Sequence, residues 1–216
     1  MNVLVVGASR GSGAAAVRAL VRAGHLVTAF ARSVPDTPTS DNVHYVAGDV
    51  LDADALAKAM VGQDAVLVTL GISDNPITVR LLRRASSPLD VRSQGTARVI
   101  AAMRAAGTRR LIVQSTYGIG ETYAKLPLSL KALLTLVLRP QVTDHERQEA
   151  LVRRSGLDWT VVRPVVLEDI ETDAPAMVDL DDRVASMKVS RTQLARVLAE
   201  AVDRDDWYGR TLSVSA

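Results

Sequence analysis

The chain has 216 residues, a formal net charge of +2 and a composition that is 48% hydrophobic but only 3% aromatic. That length fits a single domain, here residues 1–216, and one phenylalanine means a core built from Val, Leu, Ala and Ile. The absence of cysteine excludes disulfides, thiolate nucleophiles and Cys metal sites, and His25, His44 and His145 lack metal-ligand spacing, so no metal is expected.

Val3–Val6 is an apolar run without alternation, as in a parallel strand covered on both faces. Gly7, Gly11 and Gly13 follow with the spacing GxxxGxG and open a helix over Ser12–Ala23, which Gly24 ends. Gly7 suits the tight turn out of the strand. Gly11 or Gly13 lets the backbone approach a pyrophosphate, and Gly13 also lets the helix pack close to the sheet. The helix start would point free N–H groups and its positive end at the phosphates. Strand two is Leu26–Ala31, so the glycines stand in the strand–turn–helix–strand context that a dinucleotide fingerprint requires. About 20 residues past the last glycine, where NAD enzymes carry an acid for the ribose hydroxyl, this chain has Arg32, with Arg10 inside the turn. A guanidinium pairs with a 2′-phosphate and a carboxylate repels it, so the cofactor expected is NADP(H).

The alternation continues. Val43–Val46 is strand three, Ala53–Met60 a helix capped by Asp52, Ala65–Leu70 strand four and Leu89–Ala106 a long helix. Arg110–Gln114 is strand five, Asp144–Ser155 a helix capped by Thr143 or Asp144, and Trp159–Arg163 strand six. Thr192–Val202 is a late helix and Thr211–Val214 a last strand. The fold expected is α/β, a Rossmann-type doubly wound parallel sheet with a small C-terminal substrate-side region. Ligands of such sheets bind beyond the carboxyl ends of the strands. Asp49 is free there to hold an adenine amino group, and Gly71 lets the backbone come near the cofactor.

The basic clusters Arg80–Arg84, Arg104–Arg110 and Arg153–Arg154 read as solvated helix faces, since no aromatic residues interleave them, so no nucleic acid is expected. Leu126–Leu138 is too short and too interrupted to span a bilayer. The leucines of Ile119–Arg139 would form a lid, a dimer surface or core, with core preferred. Only five residues precede Val6, so no leader is expected and the location expected is cytoplasmic.

The segments GASRGSG, AFARS, AGDVLDADAL, DAVLVTLG and SGLDWTVVRP, in that order, resemble the atypical short-chain dehydrogenase/reductase superfamily, and within it the NmrA-like and biliverdin reductase B (flavin reductase) group. The resemblance covers nearly the whole chain. It implies a Rossmann core, NAD(P)H binding and reduction of flavins, quinones or similar conjugated acceptors. It further implies that Gly7, Ser9, Arg10, Ser12 and Gly13 embrace the pyrophosphate and ribose. Arg32 and Ser33 would take the 2′-phosphate, Asp49 and Val50 the adenine, and Leu70 and Gly71 the nicotinamide ribose side. Ser115 and Thr116 would line the nicotinamide, Pro164 and Val165 its carboxamide, and His145 would touch the nicotinamide ribose. One departure matters. No YxxxK pair is present, because Glu121 follows Tyr117 and Pro127 follows Tyr123 at that spacing.

Without that acid/base pair, alcohol–ketone chemistry is not evident. Hydride transfer to a conjugated ring needs less, because the ring spreads the incoming charge and solvent supplies the proton. Ser115, Thr116, Tyr117, His145 and the 72–88 loop would form the acceptor site, with Tyr117 a candidate proton donor. The expected protein is a monomer or homodimer reducing a small conjugated acceptor. The alternatives are a non-catalytic NADP(H)-sensing regulator that binds a protein and, last, a sugar-type epimerase or dehydratase.

Overall fold

The computed structural model describes residues 1–34, 40–71 and 88–216. The first strand, β1 (Asn2–Val6), runs through the middle of the molecule, with β2 (Leu26–Ala31) parallel on one side and β4 (Ala65–Val68) parallel on the other. Beyond β2 lies β3 (Val43–Ala47). Beyond β4 come β5 (Arg110–Gln114), β6 (Asp158–Pro164) and β10 (Arg210–Ser215). Among the described residues the sheet has eight strands in the order β3-β2-β1-β4-β5-β6-β10-β8, all parallel except β8 (Met177–Asp179), which pairs antiparallel with β10. A small parallel pair, β7 (Val166–Glu168) with β9 (Lys188–Ser190), stands apart at the carboxyl end of β6. The order reverses between β2 and β4 across β1, which opens a crevice at the carboxyl ends of β1 and β4.

Alternate residues of β1 feed two core layers, as a pleated strand requires. Val3 and Val5 face α1 (Gly11–Arg22) and α6 (Arg191–Asp203), joining Leu20, Leu194 and Leu198. Leu4 and Val6 face α2 (Ala53–Met60) and α3 (Val91–Ala106), joining Leu56, Val99 and Met103. Phe30 lies fully buried in the second layer. Two further helices, α4 (Leu128–Leu136) and α5 (Arg139–Arg153), follow β5, after a 3₁₀ turn over Gly120–Lys125.

Several expectations need correction. The helix carrying His145 begins at Arg139, with Pro140 in its first turn and Leu138 at its cap, so neither Thr143 nor Asp144 caps it. Asp144 instead caps the neighbouring α3: its carboxylate accepts the N–H groups of Arg92 and Ser93, each at 3.1 Å, and the Ser93 hydroxyl at 2.5 Å. The leucine-rich stretch is core only in part: Ile119 and Leu126 are buried and Leu130 and Leu134 pack against the core, but no residue of α4 is itself buried, and Leu128 and Leu136 are largely exposed. Arg110 is not a solvated charge either. It is buried, gives hydrogen bonds to the Asp158 carbonyl and the Thr160 hydroxyl, each at 2.8 Å, and to the Ala201 carbonyl, and lies over the Tyr208 ring. The cluster Arg80–Arg84 lies outside the described residues. Among those residues, no helix is long and apolar enough to cross a membrane.

Candidate dinucleotide site

The glycine turn divides its work between two glycines. At Gly13 a Cβ would stand 2.1 Å from the Gly7 carbonyl oxygen and 2.7 Å from the Thr69 hydroxyl, so this position lets α1 sit against β1 and β4. At Gly11 a Cβ would meet only the Arg191 guanidinium, at 3.9 Å, so this position opens outward. Gly7 has a φ of 93°, which only glycine adopts without strain as the chain leaves β1.

The start of α1 has no side-chain cap and no acidic residue in its first turn. Its leading N–H groups therefore have no intrahelical acceptor and no carboxylate beside them. A cation stands there instead: Nη1 of Arg191, the first residue of α6, lies 3.5 Å from the Ser12 hydroxyl. Two positive features at one point, a helix N-terminus and a guanidinium, disfavour each other unless an anion lies between them. Asp169, at 2.5 Å from the Arg191 Nε, offsets part of that charge from outside the turn. This arrangement fits a pyrophosphate.

The turn forms one end of a cleft of about 1080 Å³ at the carboxyl ends of the strands. Gly7, Ser9, Arg10, Ser12, Arg32 and Ser33 line it near β1 and β2, and Asp49 and Val50 line it beyond β3. Leu70, Gly71, Ser115, Thr116, Tyr117, His145, Pro164 and Val165 also line it, so every site residue named from the sequence borders this one cleft except Gly13. The 72–87 part of the loop assigned to the acceptor lies outside the described residues. Asp49 is not wholly free: its Oδ1 accepts the Leu51 N–H at 2.9 Å in an Asx turn. Asp52 caps α2 as its sequence position implies, accepting from the N–H groups of Asp54 and Ala55.

The middle of the cleft lies at the end of β5. Ser115 is buried and its hydroxyl has no hydrogen-bond partner among the described residues, an orphaned polar group of the kind a ligand satisfies. The Thr116 hydroxyl turns back to the Tyr117 carbonyl, at 3.2 Å. The Tyr117 hydroxyl donates to the Asp182 carbonyl at 3.2 Å, and burial, with the Asp182 charge, pushes its pKa up. Lys125, on the 3₁₀ turn, gives its ammonium protons to the carbonyls of Asp181 and Asp182. Both groups are thus committed to the Asp182 carbonyl, and Lys125 is not among the residues that line the cleft. His145 reaches the cleft from α5. Burial first, then the neighbouring Arg92 charge, holds its pKa well below the ordinary histidine value, so the ring is neutral at pH 7.

Sequence reasoning missed four parts of this cleft. Leu126, Leu130, Leu133, Leu134 and Leu138 form an apolar wall with Met187. Arg92, Arg191 and Gln114 supply polar groups along it. The five leucines were visible as a cluster, but nothing local separates a cleft wall from a core. Arg191 follows a Ser190 cap on a helix far from the glycine turn, and no local pattern announces their meeting.

A glycine turn opening an uncapped helix at the switch point of a parallel sheet defines a dinucleotide-binding protein of the oxidoreductase-like class. Residues 7–205 match the model of the NAD(P)H-binding family, and the chain belongs to that family. Among curated proteins it is similar to the 3-diazoavenalumate denitrifying reductase of a Streptomyces species, with 36% identity over 120 residues, a match covering 53% of this chain but only 38% of that protein. Among solved structures it resembles a Rossmann-fold NAD(P)-binding family protein from Shigella flexneri, with 27% identity, a TM-score of 0.72 and coverage of 99% of this chain and 92% of the other. It shares its fold with ChuY, an anaerobillin reductase from Escherichia coli O157:H7, at 20% identity and a TM-score of 0.76, covering 100% of this chain and 97% of that one.

Proposed function

We propose that this protein is an NADPH-dependent reductase that passes a hydride to a flat conjugated acceptor such as a flavin or quinone. NADPH, when bound, supplies the hydride. The observation that carries the reading is the composition of the cleft, where dinucleotide-binding positions and the leucine wall of α4 share one space without a tyrosine–lysine pair. An acceptor that delocalises the incoming charge needs an apolar surface and exclusion of water more than a positioned acid.

In this reading Gly7, Ser9, Arg10, Ser12 and Gly11 hold the pyrophosphate at the start of α1, and Gly13 keeps that helix against β1. Arg32 and Ser33 take the 2′-phosphate, and Asp49 uses its remaining oxygen on the adenine side with Val50 beneath. Leu70, Gly71, His145, Pro164 and Val165 border the nicotinamide half. The buried Ser115 hydroxyl donates to the carboxamide or the acceptor, and Thr116 lies beside it. Tyr117, with its hydroxyl committed to Asp182, contributes its ring to the wall, and the acceptor's proton comes from solvent.

The test has two arms. NADPH oxidation is followed with FMN, FAD and a quinone panel, and the affinity for NADPH and NADH is measured by calorimetry on wild type and Arg32→Ala. Turnover with at least one such acceptor is expected, together with a loss of about 1.5–3 kcal/mol of NADPH affinity in the variant and little change for NADH. If no acceptor is reduced, the reductase reading falls, and nucleotide binding without turnover would favour the sensing role. Equal NADPH affinity in both proteins would remove the phosphate assignment.

A further inference from the structure

Arg92 is the second residue of α3, in its first turn, where it borders the cleft beside His145. It is 8% exposed, and its Nε and Nη1 make no hydrogen bond among the described residues. Among the described residues the carboxylate within 4 Å of it is Asp144, at 3.8 Å from Nη1, beyond hydrogen-bonding distance. Asp144 is held in place by other bonds, its oxygens accepting two backbone N–H groups and the Ser93 hydroxyl. Burial correspondingly pulls the Arg92 pKa down, with Asp144 offsetting only part of it. The remaining nitrogen, Nη2, points to the lip of the cleft, 3.9 Å from where a Cβ on Gly71 would stand.

A buried cation whose nearest described carboxylate stands beyond hydrogen-bonding distance is under-compensated unless an anion meets it at the edge it turns to the cleft. Resting on the function proposed above, the cofactor's phosphates are taken by the α1 start, Arg10 and Arg32, which leaves Arg92 to another anion. The surface available to that anion's carrier is the leucine wall of α4. We infer that the acceptor carries a carboxylate, and that Arg92 binds it while the acceptor's conjugated body lies against Leu130 and Leu133. Nε and Nη1 are closed off from the cleft, so the carboxylate meets the guanidinium at Nη2, in a charge-assisted hydrogen bond. A phosphate would call for more donors than this end of the cleft offers: His145 is neutral, and Arg191 is turned to Ser12 and Asp169.

The experiment uses the full chain saturated with NADP⁺ and two matched probes, 2-naphthoate and 2-naphthamide, titrated by calorimetry against wild type, Arg92→Lys and Arg92→Met. Thermal melts confirm that each variant is folded. Wild type is expected to bind the naphthoate about tenfold or more tightly than the amide. That preference shrinks in Arg92→Lys and vanishes in Arg92→Met, while the amide binds all folded variants alike. Equal binding of the two probes by wild type overturns the inference, whether or not the variants fold. So does a preference that survives in Arg92→Met. If Arg92→Met weakens NADP⁺ itself by the same factor, Arg92 is a cofactor contact and the carboxylate assignment falls. Probe binding is read without turnover, so failure of the reductase reading in the acceptor panel is told apart from failure of this one.

Discussion

Gly13 shows how much one missing methyl group does. Its Cβ would collide with backbone oxygen rather than with a flexible side chain, so Gly13→Ala must push α1 away from β1. Overpacking of this kind costs about 1–3 kcal/mol. The substitution is expected to lower the unfolding free energy measured in urea by that amount and, because α1 starts at the proposed phosphate site, to weaken NADPH binding in parallel. Gly11→Ala meets open space and strains only its φ of 53°, so its loss should be seen in nucleotide affinity more than in stability. Arg163 is a different case. It is fully buried, with Nη2 and Nε on Glu149 at 2.7 and 2.9 Å and Nη1 on Glu121 at 2.9 Å. Against the burial that would lower its pKa, these carboxylates hold Arg163 charged. Glu149→Gln leaves that charge under-compensated and is expected to cost about 3 kcal/mol in chemical denaturation. The pairing of Glu149 with Arg163 of β6 depends on the sheet and could not be read locally.

At the scale of elements, the contact between α3 and α5 rests on a cap supplied across space. The cap residue of α3, Asp90, makes no side-chain cap bond, and Asp144 of α5 satisfies the first-turn N–H groups instead. Asp144→Ala should therefore destabilise both helices together, by about 3 kcal/mol, and the buried Arg92 would lose its nearest counter-charge. Asp144→Asn keeps an acceptor and should cost less, which separates the cap from the charge. The leucine wall makes its own prediction. Leu133→Ser removes apolar contact for an acceptor and should raise its KM by about tenfold, with the KM for NADPH unchanged. Strands β2 and β5 and helix α2 were legible to the residue, because the apolar runs of the strands stop at the polar residues Arg32 and Gln114–Ser115 and the helix starts from its Asp52 cap. The short strands β7, β8 and β9 were not. Each has three residues, too few for a period to show, and each is defined by its pairing partner.

For the molecule as a whole, two titrations set the acid limb of stability. His145 has a lowered pKa in the fold, so as pH falls below the unfolded value of about 6.5 the unfolded chain takes up a proton first. Stability is then lost with a slope of at most on the order of 1 kcal/mol per pH unit for this group. His145→Gln should flatten the fall in unfolding free energy that begins as pH drops below about 6.5. Glu121 acts lower down. Burial would raise its pKa, but its own backbone N–H and the Arg163 and Arg153 guanidinium groups bring it down to about 2. Its contribution is complete above the unfolded carboxylate value and is lost as pH falls from there through about 2. A second acid transition that Glu121→Gln removes, followed by circular dichroism, would report it. The doubly wound sheet and the whole cofactor turn were legible because their signals are local: an apolar strand, spaced glycines, a terminal arginine. The far side of the cleft was legible only in outline, since Arg92 and the leucine wall come to it from separate elements.

The contact between Arg191 and Ser12 joins residues 179 positions apart, and behind it α6 lies packed on α1. A chain must close that long loop before the phosphate cradle has its second wall, and such distant pairings are made late and slowly. Refolding watched in real time should therefore show helical signal first, and the capacity to capture nucleotide only in the last kinetic phase. Arg191→Ala, which loosens the tie without emptying the core, should leave the early phases unchanged and alter only that final one.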